Sequence, residues 1–440
     1  MASRLLAAAV LLASVLIAWL AITSHLAARV LQGIIGVSVI YVGYLAYRGL
    51  RFMRKAMAAA EAGEGAAPTG VPFVSVVVPA RNEVAVIGQV VRDLVAQRCG
   101  PGTQPAMEVV VVDDGSSDGT AEAASHAGHA LRQGTFHVMV RAPTHGSTKG
   151  RALASSTAEL KGDVIGVVDA DARVAPDFVA SILAAWERDP KAAAIQARRQ
   201  PRNAERSWLT RAQGDEQLMD LASQCGRRAV DGTAELRGNG MFVRRSALDA
   251  VGGWSPTAIT EDLDLSTRLA AAGMHVGLAP EVTVSEEAVE SLRALWWQRL
   301  RWAEGSLRRL IELGPSLLAG SAPLGRKTDF LAFAGEFVIP PLFAASVIAS
   351  LLTVPLPVRS DWTVPISLFA GYGLGSFLLG LAGLAGTGTR GLALVGRSLR
   401  GALFLSHWLV VVPAALAWIA IGPAETRFRQ TPRIGPRPTE

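Results

Sequence analysis

Five apolar segments, two at the start of the chain and three near its end, constrain the fold more than any other feature. Residues 5–23 and 30–47 are each long enough to cross a bilayer at about 1.5 Å of rise per residue. Further apolar segments lie near 329–355, 363–385 and 401–422. Half of the residues are hydrophobic and only 18% are charged, which is typical of a membrane protein. We therefore expect N- and C-terminal transmembrane α-helices around a soluble middle region.

The charges beside these segments predict their orientation. Arg48, Arg51, Arg54 and Lys55 follow the second segment, and by the positive-inside tendency they place the middle region in the cytosol. The first segment has an alternative reading as a cleaved signal peptide, because Arg4 precedes it. Its length and the second apolar segment close behind it favour a retained helix. The expected location is the plasma membrane or another membrane that faces the cytosol.

The C-terminal tail conflicts with a simple count of spans. Five spans would leave the tail on the side opposite the middle region, although Arg427, Arg429, Arg433 and Arg437 favour the same side. Either one segment is re-entrant or a further span exists. Pro340-Pro341 makes 329–355 the doubtful segment.

The positive charge and the cysteines exclude several classes of site. Arginines concentrate beside the apolar segments, where they can contact anionic headgroups, so the net charge of +6 needs no nucleic-acid partner. No nucleic-acid-binding motif occurs in the sequence. Cys99 and Cys225, far apart in a cytosolic region, predict neither a disulfide framework nor a metal site.

The middle region has the pattern of an α/β domain. From Pro72 onward, short β-branched runs alternate with helical stretches; strands are expected at 74–78, 109–112, 136–140 and 163–168, and helices at 84–98, from 117 to about 130, and at 149–160. This alternation predicts a doubly wound parallel sheet that is covered on both faces. In such sheets ligands bind beyond the carboxyl ends of the strands.

The expected boundaries divide the chain into six parts. In order they are two transmembrane helices (1–55), a small polar linker (56–71), the α/β domain (72–288), amphipathic interfacial helices (289–328), a C-terminal transmembrane region (329–422) and a basic tail (423–440). The interfacial assignment rests on apolar residues and arginines that share the stretch 289–311.

Carboxylates follow two of the predicted strands. Asp169 and Asp171, one residue apart after the fourth strand, can both turn toward a divalent cation that bridges nucleotide phosphates. Asp113 and Asp114 follow the second strand, where an aspartate can accept hydrogen bonds from a uracil or ribose. The alternative for Asp169 and Asp171 is a solvated Asp-x-Asp turn without a ligand. The alternative for Asp113 and Asp114 is an ordinary strand-to-helix turn. The combination of both motifs with the sheet pattern favours a nucleotide site.

Two further stretches extend the predicted donor site. Arg81 and Glu83 follow the first strand and extend the nucleoside pocket. Lys149 opens a helix, where the helix dipole disfavours a positive charge, so we expect it to contact a diphosphate or a base. The alternative for Lys149 is a solvated lysine.

A carboxylate-rich helix start supplies the candidate general base. Thr260 is the expected N-cap of a helix over 261–272. Asp262 is the predicted base that deprotonates an acceptor hydroxyl, and Asp264 is the second choice. The alternative is that these carboxylates only complement the helix dipole.

The stretch Gln298-Arg299-Leu300-Arg301-Trp302 is expected at the acceptor end of the site. Arg301 can bind diphosphate oxygens, and Trp302 can stack on an acceptor with Gln298 beside it. An interfacial belt of tryptophan and arginine would look similar locally.

Together these residues resemble the membrane-bound family 2 glycosyltransferases, which have a GT-A catalytic fold and include cellulose, chitin, hyaluronan and poly-N-acetylglucosamine synthases. The resemblance covers residues 72–311. It implies an inverting transfer from a nucleotide sugar that needs Mg²⁺ or Mn²⁺. Its motifs imply nucleoside binding by Asp113 and Asp114, metal coordination by Asp169 and Asp171, proton abstraction by Asp262, and a donor/acceptor clamp of Gln298, Arg301 and Trp302.

A narrower resemblance concerns the acceptor. The stretches 259–269, 286–288 and 294–305 are similar to those of the β-monoglucosyldiacylglycerol synthases, although Ala288 and Trp297 depart from that pattern. This similarity implies glucose transfer from UDP-glucose to diacylglycerol in the lipid bilayer. The Thr-Pro-basic segment at 428–433 occurs also in polysaccharide synthases.

Two other functions remain open at the level of the sequence. A processive synthase would extend a growing β-linked glycan, of cellulose, poly-N-acetylglucosamine or hyaluronan type, through a channel between the spans. A non-catalytic nucleotide-sugar-binding scaffold would have lost a carboxylate, and every expected carboxylate is present.

Overall fold

The apolar ends of the chain form helices, and the middle forms an α/β domain between them. The computed structural model describes residues 2–64, 72–98, 106–128, 136–141, 148–356 and 358–422. Cys99, residues 65–71 of the expected linker and the basic tail lie outside the described residues. The helices and strands in chain order are α1 (Ala2–Thr23), α2 (His25–Glu61), β1 (Val74–Ala80), α3 (Ile87–Val95), β2 (Met107–Asp113), α4 (Thr120–Gly128), β3 (Phe136–Val140), α5 (Lys149–Ser156), β4 (Val164–Val167), β5 (Arg173–Val174), α6 (Phe178–Arg188), β6 (Ala194–Pro201), α7 (Trp208–Ala229), β7 (Met241–Arg244), α8 (Arg245–Ala250), α9 (Glu261–Ala271), β8 (Val276–Glu286), α10 (Leu292–Ala319), α11 (Leu324–Glu336), α12 (Ile339–Thr353), α13 (Thr363–Gly386), α14 (Gly391–Leu405) and α15 (Trp408–Ile421).

One mixed sheet forms the centre of the α/β domain, with the strand order β3-β2-β1-β4-β7-β6-β8-β5. β3, β2, β1 and β4 are parallel, as the sequence predicts. A fully parallel sheet is the wrong prediction for the other half, because β7 runs antiparallel to both β4 and β6. The Gly240 amide donates to Val167 O at the carboxyl end of β4, so the chain enters β7 from that end and must run back along β4.

Both faces of the sheet are buried, which explains the uninterrupted apolar runs of the strands. Every residue of β2 is buried, and its side chains alternate between the two faces. Val109 and Val111 pack in one cluster with α3 and α6, whereas Val110 and Val112 pack in another with α5 and α9. The GT-A-like α/β architecture is thereby built from the predicted β-branched runs.

The apolar segments form helical stretches that are long and apolar enough to cross a membrane. Among the described residues five such stretches occur, at Ser3–Thr23, His25–Glu61, Leu324–Thr353, Thr363–Gly386 and Gly391–Ile421. The second continues as one helix to Glu61, so the first residues of the expected linker are helical. The third is broken between α11 and α12, beside the prolines Pro340 and Pro341.

The last apolar segment, like 329–355, is divided into two helices. Gly391–Ile421 divides into α14 and α15, and α15 packs with α10 and with Ala7 near the start of α1. Arg4 donates to the carbonyl of Gly422, the last described residue. The far end of α1, by contrast, packs against α12 and α13. The end of α15 therefore lies beside α10 and the start of α1, on the side of the α/β domain.

α10 differs from the expected interfacial helix because two of its arginines point into the protein. Arg299 and Arg309 are buried and form ion pairs with Glu216 and Glu235. An arginine-rich stretch alone does not reveal this, because the carboxylates lie about eighty residues earlier in the chain.

Helix α7 connects the α/β domain to the membrane helices by close backbone contacts. A Cβ atom on Gly226 would lie 2.2 Å from the Leu45 carbonyl oxygen of α2, and one on Gly49 would lie 2.1 Å from that of Ala222. On another face of α7, a Cβ on Gly383 of α13 would lie 2.0 Å from the Leu218 carbonyl oxygen. These contacts fix α7 between α2 and α13.

Candidate active site

A continuous cavity of about 1090 Å³ begins at the carboxyl ends of β1, β2 and β4 and extends between the membrane helices. We call it the central cavity. Ten of the eleven residues predicted for the site line it, namely Arg81, Glu83, Asp114, Lys149, Asp169, Asp171, Asp262, Gln298, Arg301 and Trp302. The sheet and α10 thus bring together residues that span more than two hundred positions of sequence.

Asp113 is the predicted residue that does not line the cavity. Its carboxylate accepts a hydrogen bond from the Ser116 amide at 3.0 Å and another from the Ser116 hydroxyl. It therefore stabilises the turn that presents its neighbour, Asp114. Asp114 does line the cavity and lies 3.3 Å from Arg141. Burial raises the pKa of Asp114, and the Arg141 guanidinium partly opposes that rise.

The turns after β1 and β2 are hydrogen-bonded to each other. Asn82, in the left-handed region at φ 52°, donates its amide to Ser116 Oγ at 2.9 Å and accepts from the Ser117 amide at 3.0 Å. The Glu83 amide donates to Thr120 Oγ1 at 2.8 Å. These bonds fix the backbone on which Arg81 and Glu83 face the cavity.

Asp169 and Asp171 follow β4 with their backbone held by neighbouring loops. The Asp169 amide donates to Asn239 Oδ1 at 3.1 Å, and Asp171 accepts from the Glu287 amide at 3.2 Å. Oxygen donors suit Mg²⁺ or Mn²⁺. The described residues hold no group of three or more His, Cys, Asp or Glu placed to bind a metal. The pair therefore fits a cation that takes its other ligands from phosphate oxygens and water, as Mg²⁺ does at nucleotide sites.

Lys149 is not a solvated lysine. Its ammonium lies 2.6 Å from Asp169 Oδ1, 2.6 Å from the Gly238 carbonyl oxygen and 3.4 Å from Glu261. Burial alone would lower the pKa of Lys149. The carboxylates of Asp169 and Glu261 raise it by a larger amount, so the net shift of the pKa is upward. Lys149 is therefore a fixed positive charge beside the candidate metal ligands.

Asp262 and Asp264 face different surroundings on the first turn of α9. Asp262 lines the cavity close to Gly238, where an added Cβ would lie 3.2 Å from its Oδ2. Burial raises the pKa of Asp262, whereas Lys149 and then Arg237 lower it in part. Asp264 is not among the cavity-lining residues and pairs with Arg268 at 2.6 Å. The geometry therefore favours Asp262 as a base.

Thr260 is the N-cap residue of α9, as the sequence predicts, but its side chain does not cap the helix. Its side chain packs instead against Gly305 of α10, where an added Cβ would lie 2.4 Å from Thr260 Cγ2. Tight packing of α10 on the start of α9 replaces the cap.

The tryptophan of the α10 cluster is held by arginines. The Arg299 guanidinium lies 4.1 Å from the centre of the Trp302 ring, and that of Arg199 lies 5.8 Å away. Arg299 is ion-paired with Glu216, which also accepts from Trp408 Nε1 at 3.2 Å. Trp302 thus lines the cavity and is held by Arg299 close to Trp408 of α15.

Sequence reasoning missed a group of charged residues that pack against α10 and line the cavity. Arg237 lies 2.8 Å from Asp220 and 2.9 Å from Glu235, and all three line the cavity with Arg199 and Glu216. Asp220 and Glu216 lie one turn apart on α7. Two carboxylates at i, i+4 spacing on a predicted helix were the sequence feature that could have indicated them as site residues. The partner arginines follow no recognisable spacing.

The sequence matches a protein-family model and is similar to the sequences of known proteins. The family model described as "Glycosyltransferase like family 2" matches residues 72–305. The β-monoglucosyldiacylglycerol synthase of Synechocystis sp. is 34% identical over 370 residues, which cover 82% of this chain and 74% of that protein. The poly-β-1,6-N-acetyl-D-glucosamine synthase of Staphylococcus aureus is 28% identical over 205 residues, 45% of this chain and 47% of that protein.

Among solved structures, the mannosyltransferase PcManGT of Pyrobaculum calidifontis, in complex with GDP-mannose and Mn²⁺, has a similar fold. The TM-score is 0.56 at 19% sequence identity, and the match covers 87% of this chain and 99% of that one. The similarity confirms the GT-A-like architecture expected from the sequence.

Proposed function

This chain belongs to the family 2 glycosyltransferases, and we propose that it transfers one glucose from UDP-glucose to diacylglycerol with inversion, forming a β-glycosidic bond. The family makes it an enzyme that acts on a nucleotide sugar. The proposal adds the sugar, the lipid acceptor and the roles of individual residues.

The shape of the central cavity is the observation that carries this proposal. Its polar end contains Asp114, Asp169, Asp171 and Asp262, and its other end lies between membrane helices. That second end is lined mainly by aliphatic side chains, which are Ile17, Leu31, Ile34, Ile35, Val37, Val39, Val42, Leu331, Val338, Ile339, Leu342, Leu368, Leu379 and Val412. An aliphatic chamber suits acyl chains, whereas a sugar chain needs hydrogen-bonding groups along its path.

The arrangement of charges supports displacement of a nucleoside diphosphate. A divalent cation held by Asp169 and Asp171 would neutralise the charge that develops on the departing diphosphate. Lys149 and Arg301 also line the cavity and would add positive charge at the diphosphate.

Asp262 acts in this proposal as the general base. It removes the proton from the acceptor hydroxyl while the hydroxyl oxygen attacks the anomeric carbon of the sugar. The new C–O bond forms as the bond between the anomeric carbon and the diphosphate oxygen breaks, and UDP leaves with the electron pair. A single displacement of this kind converts an α-linked donor into a β product.

The relatives support the lipid acceptor. The Synechocystis protein, by its name, synthesises a monoglucosyldiacylglycerol, and its match extends beyond the α/β domain to 82% of this chain. Trp302, held by Arg299, provides a flat apolar surface beside Asp262 and Gln298 for the part of the acceptor that carries the hydroxyl.

Processive polysaccharide synthesis is the second candidate. The continuity of the cavity from the donor site into the membrane helices favours it, because a growing chain needs a path across the bilayer. The aliphatic lining of that path argues against it.

A donor panel tests the proposal. The purified protein, reconstituted with diacylglycerol and Mg²⁺ or Mn²⁺, is supplied in turn with radiolabelled UDP-glucose, UDP-galactose, UDP-N-acetylglucosamine and GDP-mannose. We expect label in the organic phase chiefly from UDP-glucose. Faster labelling from another donor would overturn the sugar assignment, and no lipid-soluble label from any donor would overturn the acceptor assignment.

A further inference from the structure

The membrane part of the central cavity has an opening between α2 and the α11–α12 pair. Four apolar residues beside this opening line the cavity and are also exposed on the outside of the protein, namely Ile34 and Val37 of α2, Leu331 of α11 and Val338 at the break before α12. Ile17 of α1 likewise lines the cavity and is exposed. Val37 is 68% exposed and Leu331 is 54% exposed. We call the opening framed by these four residues the lateral mouth.

The two sides of the mouth are helix faces with regular spacing. Ile34, Val37, Ser38 and Tyr41 of α2 follow an i, i+3, i+4, i+7 pattern, and all four line the cavity. Leu331, Gly335, Val338 and Leu342 form the facing row along α11 and α12. A Cβ on Gly335 would meet no atom of a described residue within 4 Å, so this row does not close against α2 at its middle.

The mouth is bounded at both ends. Toward the α/β domain, the Tyr41 hydroxyl of α2 donates to Asp329 of α11 at 3.2 Å, and Asp329 also accepts from the Thr233 amide at 2.8 Å. At the opposite end, Leu31 of α2 and Leu342 of α12 join a buried cluster that includes residues of α1 and α13. The exposed cavity-lining residues of α2 are therefore Ile34 and Val37, which lie between Leu31 and Tyr41.

The other side of α2 also lines part of the cavity, but it is packed against α13. Ile35, Val39 and Val42 face α13, and a Cβ on Gly371 would lie 2.4 Å from Ile35 Cγ2. α2 therefore separates a packed contact with α13 from an open face toward α11 and α12. The break between α11 and α12, next to Pro340, lies at the mouth.

The chemistry of the rim indicates what passes through it. Ile34, Val37, Leu331 and Val338 carry no charge, and the exposed residues of α12 beyond them, such as Ile348 and Leu351, are aliphatic. Glu336, next to this row, also lines the cavity. An anionic lipid headgroup would have to pass this carboxylate, whereas an uncharged lipid would not.

We propose that the lateral mouth is the entry of the acceptor, and that an uncharged diacylglycerol moves sideways from the bilayer between α2 and α11–α12 until its hydroxyl reaches Asp262. During transfer at least one acyl chain lies in the mouth, between Val37 and the Leu331–Val338 row. This inference rests on the proposed function and adds the route and the uncharged class of lipid.

Substitutions that fill the mouth test the route. Val37→Trp and Gly335→Leu add bulk at positions that the structure leaves open, so they should not disturb the fold. In phosphatidylcholine vesicles with increasing dioleoylglycerol, we expect each to raise the KM for diacylglycerol by about tenfold or more, because the added atoms occupy the acyl-chain path. The affinity for UDP, measured by calorimetric titration, should not change.

Two variants on the outward face of α2 provide matched controls. Ile40→Trp and Gly36→Leu make the same kinds of change at positions that do not line the cavity. Their KM for diacylglycerol should stay within about twofold of the wild-type value. If the wild type forms glucosyldiacylglycerol and both mouth variants retain its KM, the route is wrong. If the wild type forms none, the proposed function itself fails.

Photolabelling gives a second, independent readout on the unmodified protein. Diacylglycerol with a diazirine in one acyl chain, irradiated with the wild-type protein and UDP, should label the cavity-facing residues Ile34, Val37 and Tyr41 and the facing row Leu331, Val338 and Leu342. Labelling confined to outward residues such as Ile40 and Ile348 would overturn the proposal. A tenfold excess of phosphatidic acid should not compete, and loss of labelling in its presence would contradict selection of an uncharged lipid.

Discussion

At the scale of single residues, the environment of each carboxylate decides its role more than its place in a motif. Asp113 and Asp114 are adjacent, yet one holds a turn and the other lines the cavity. Asp262 and Asp264 both lie on the first turn of α9, yet only Asp262 faces the cavity. The two pairs provide matched tests.

Asp262→Asn should abolish transfer and retain UDP binding. The amide keeps the shape of the side chain but cannot accept the acceptor proton, so we expect kcat to fall by about 10²- to 10⁴-fold. Asp264→Asn is the control, because Asp264 pairs with Arg268 and does not line the cavity. Its kcat should stay within about threefold of wild type. Near-normal turnover by Asp262→Asn would remove it as the base.

The pH dependence of kcat should report the buried base. Burial raises the pKa of Asp262 above the usual value of an aspartate and raises the pKa of the adjacent Glu261 to about 7. Since the base acts in its ionised form, kcat should fall as the pH falls through the raised pKa of Asp262. We expect the decline to begin at a higher pH than it would for an exposed aspartate, whose pKa is ~3.9. A profile that stays flat down to about pH 4 in a reversible assay would contradict this.

Removal of either candidate metal ligand should weaken donor binding only when metal is present. Asp169→Ala and Asp171→Ala should each lower the UDP affinity measured with Mn²⁺ by more than about tenfold. Without metal, these variants should bind UDP with the weak affinity of the wild type. Asp249→Ala, at an exposed position on α8 away from the cavity, should bind like the wild type. Wild-type activity that survives a chelator would exclude a metal-assisted reaction.

Spacing within the sequence was sufficient to predict the carboxylates but not their partners. Asp169, Asp171 and Asp262 stand out because they follow a strand or open a helix. Arg299 stood inside the predicted cluster, but its ion pair with Glu216 depends on how α10 packs on α7. Such long-range pairs arise from tertiary packing, which a single sequence does not show.

At the scale of elements, α7 is the helix on which the two parts of the protein meet. It carries Glu216 and Asp220 into the cavity and packs against α2 and α13 at glycines. Its buried Asp215 lies 2.9 Å from Arg397 and 2.7 Å from Arg400 of α14. These ion pairs tie α14 to the α/β domain.

The close approach of α7 to α2 predicts a strong effect for a single methyl group. Gly226→Ala would place a Cβ 2.2 Å from the Leu45 carbonyl oxygen, so one helix must shift. We expect an apparent Tm lower by roughly 5 °C or more, measured by thermal unfolding in detergent. Gly36→Ala is the control, because a Cβ there meets no atom of a described residue within 4 Å. An unchanged Tm for Gly226→Ala would show that the helices are not in backbone contact.

The first four strands were predictable because each is a short, largely apolar run that contains β-branched residues and lies between turn residues. β7 was not predictable, since Met241–Arg244 is only four residues long. Its direction depends on the end of β4 at which the chain enters β7, and this is set by tertiary structure. The break of 391–421 into α14 and α15 was also missed, because mean apolarity does not distinguish one crossing helix from two shorter ones.

At the scale of the whole molecule, the enzyme places a polar nucleotide-sugar site at the end of an apolar chamber. The α/β domain supplies the carboxylates, α10 supplies Gln298, Arg301 and Trp302, and α2, α11, α12 and α13 surround the membrane end. The start of α1 and the end of α15 both lie beside α10. A cavity shared between the domain and the membrane explains how a soluble donor can react with an acceptor that never leaves the bilayer.

The central claim is that one sugar is transferred to one lipid. The most direct measurement is mass spectrometry and NMR of the product that the purified, reconstituted protein forms from excess UDP-glucose and limiting diacylglycerol. The account predicts a single product, diacylglycerol bearing one β-linked glucose, which gains no further sugars with time. A high-molecular-weight glucan, or a lipid that carries several sugars, would contradict it.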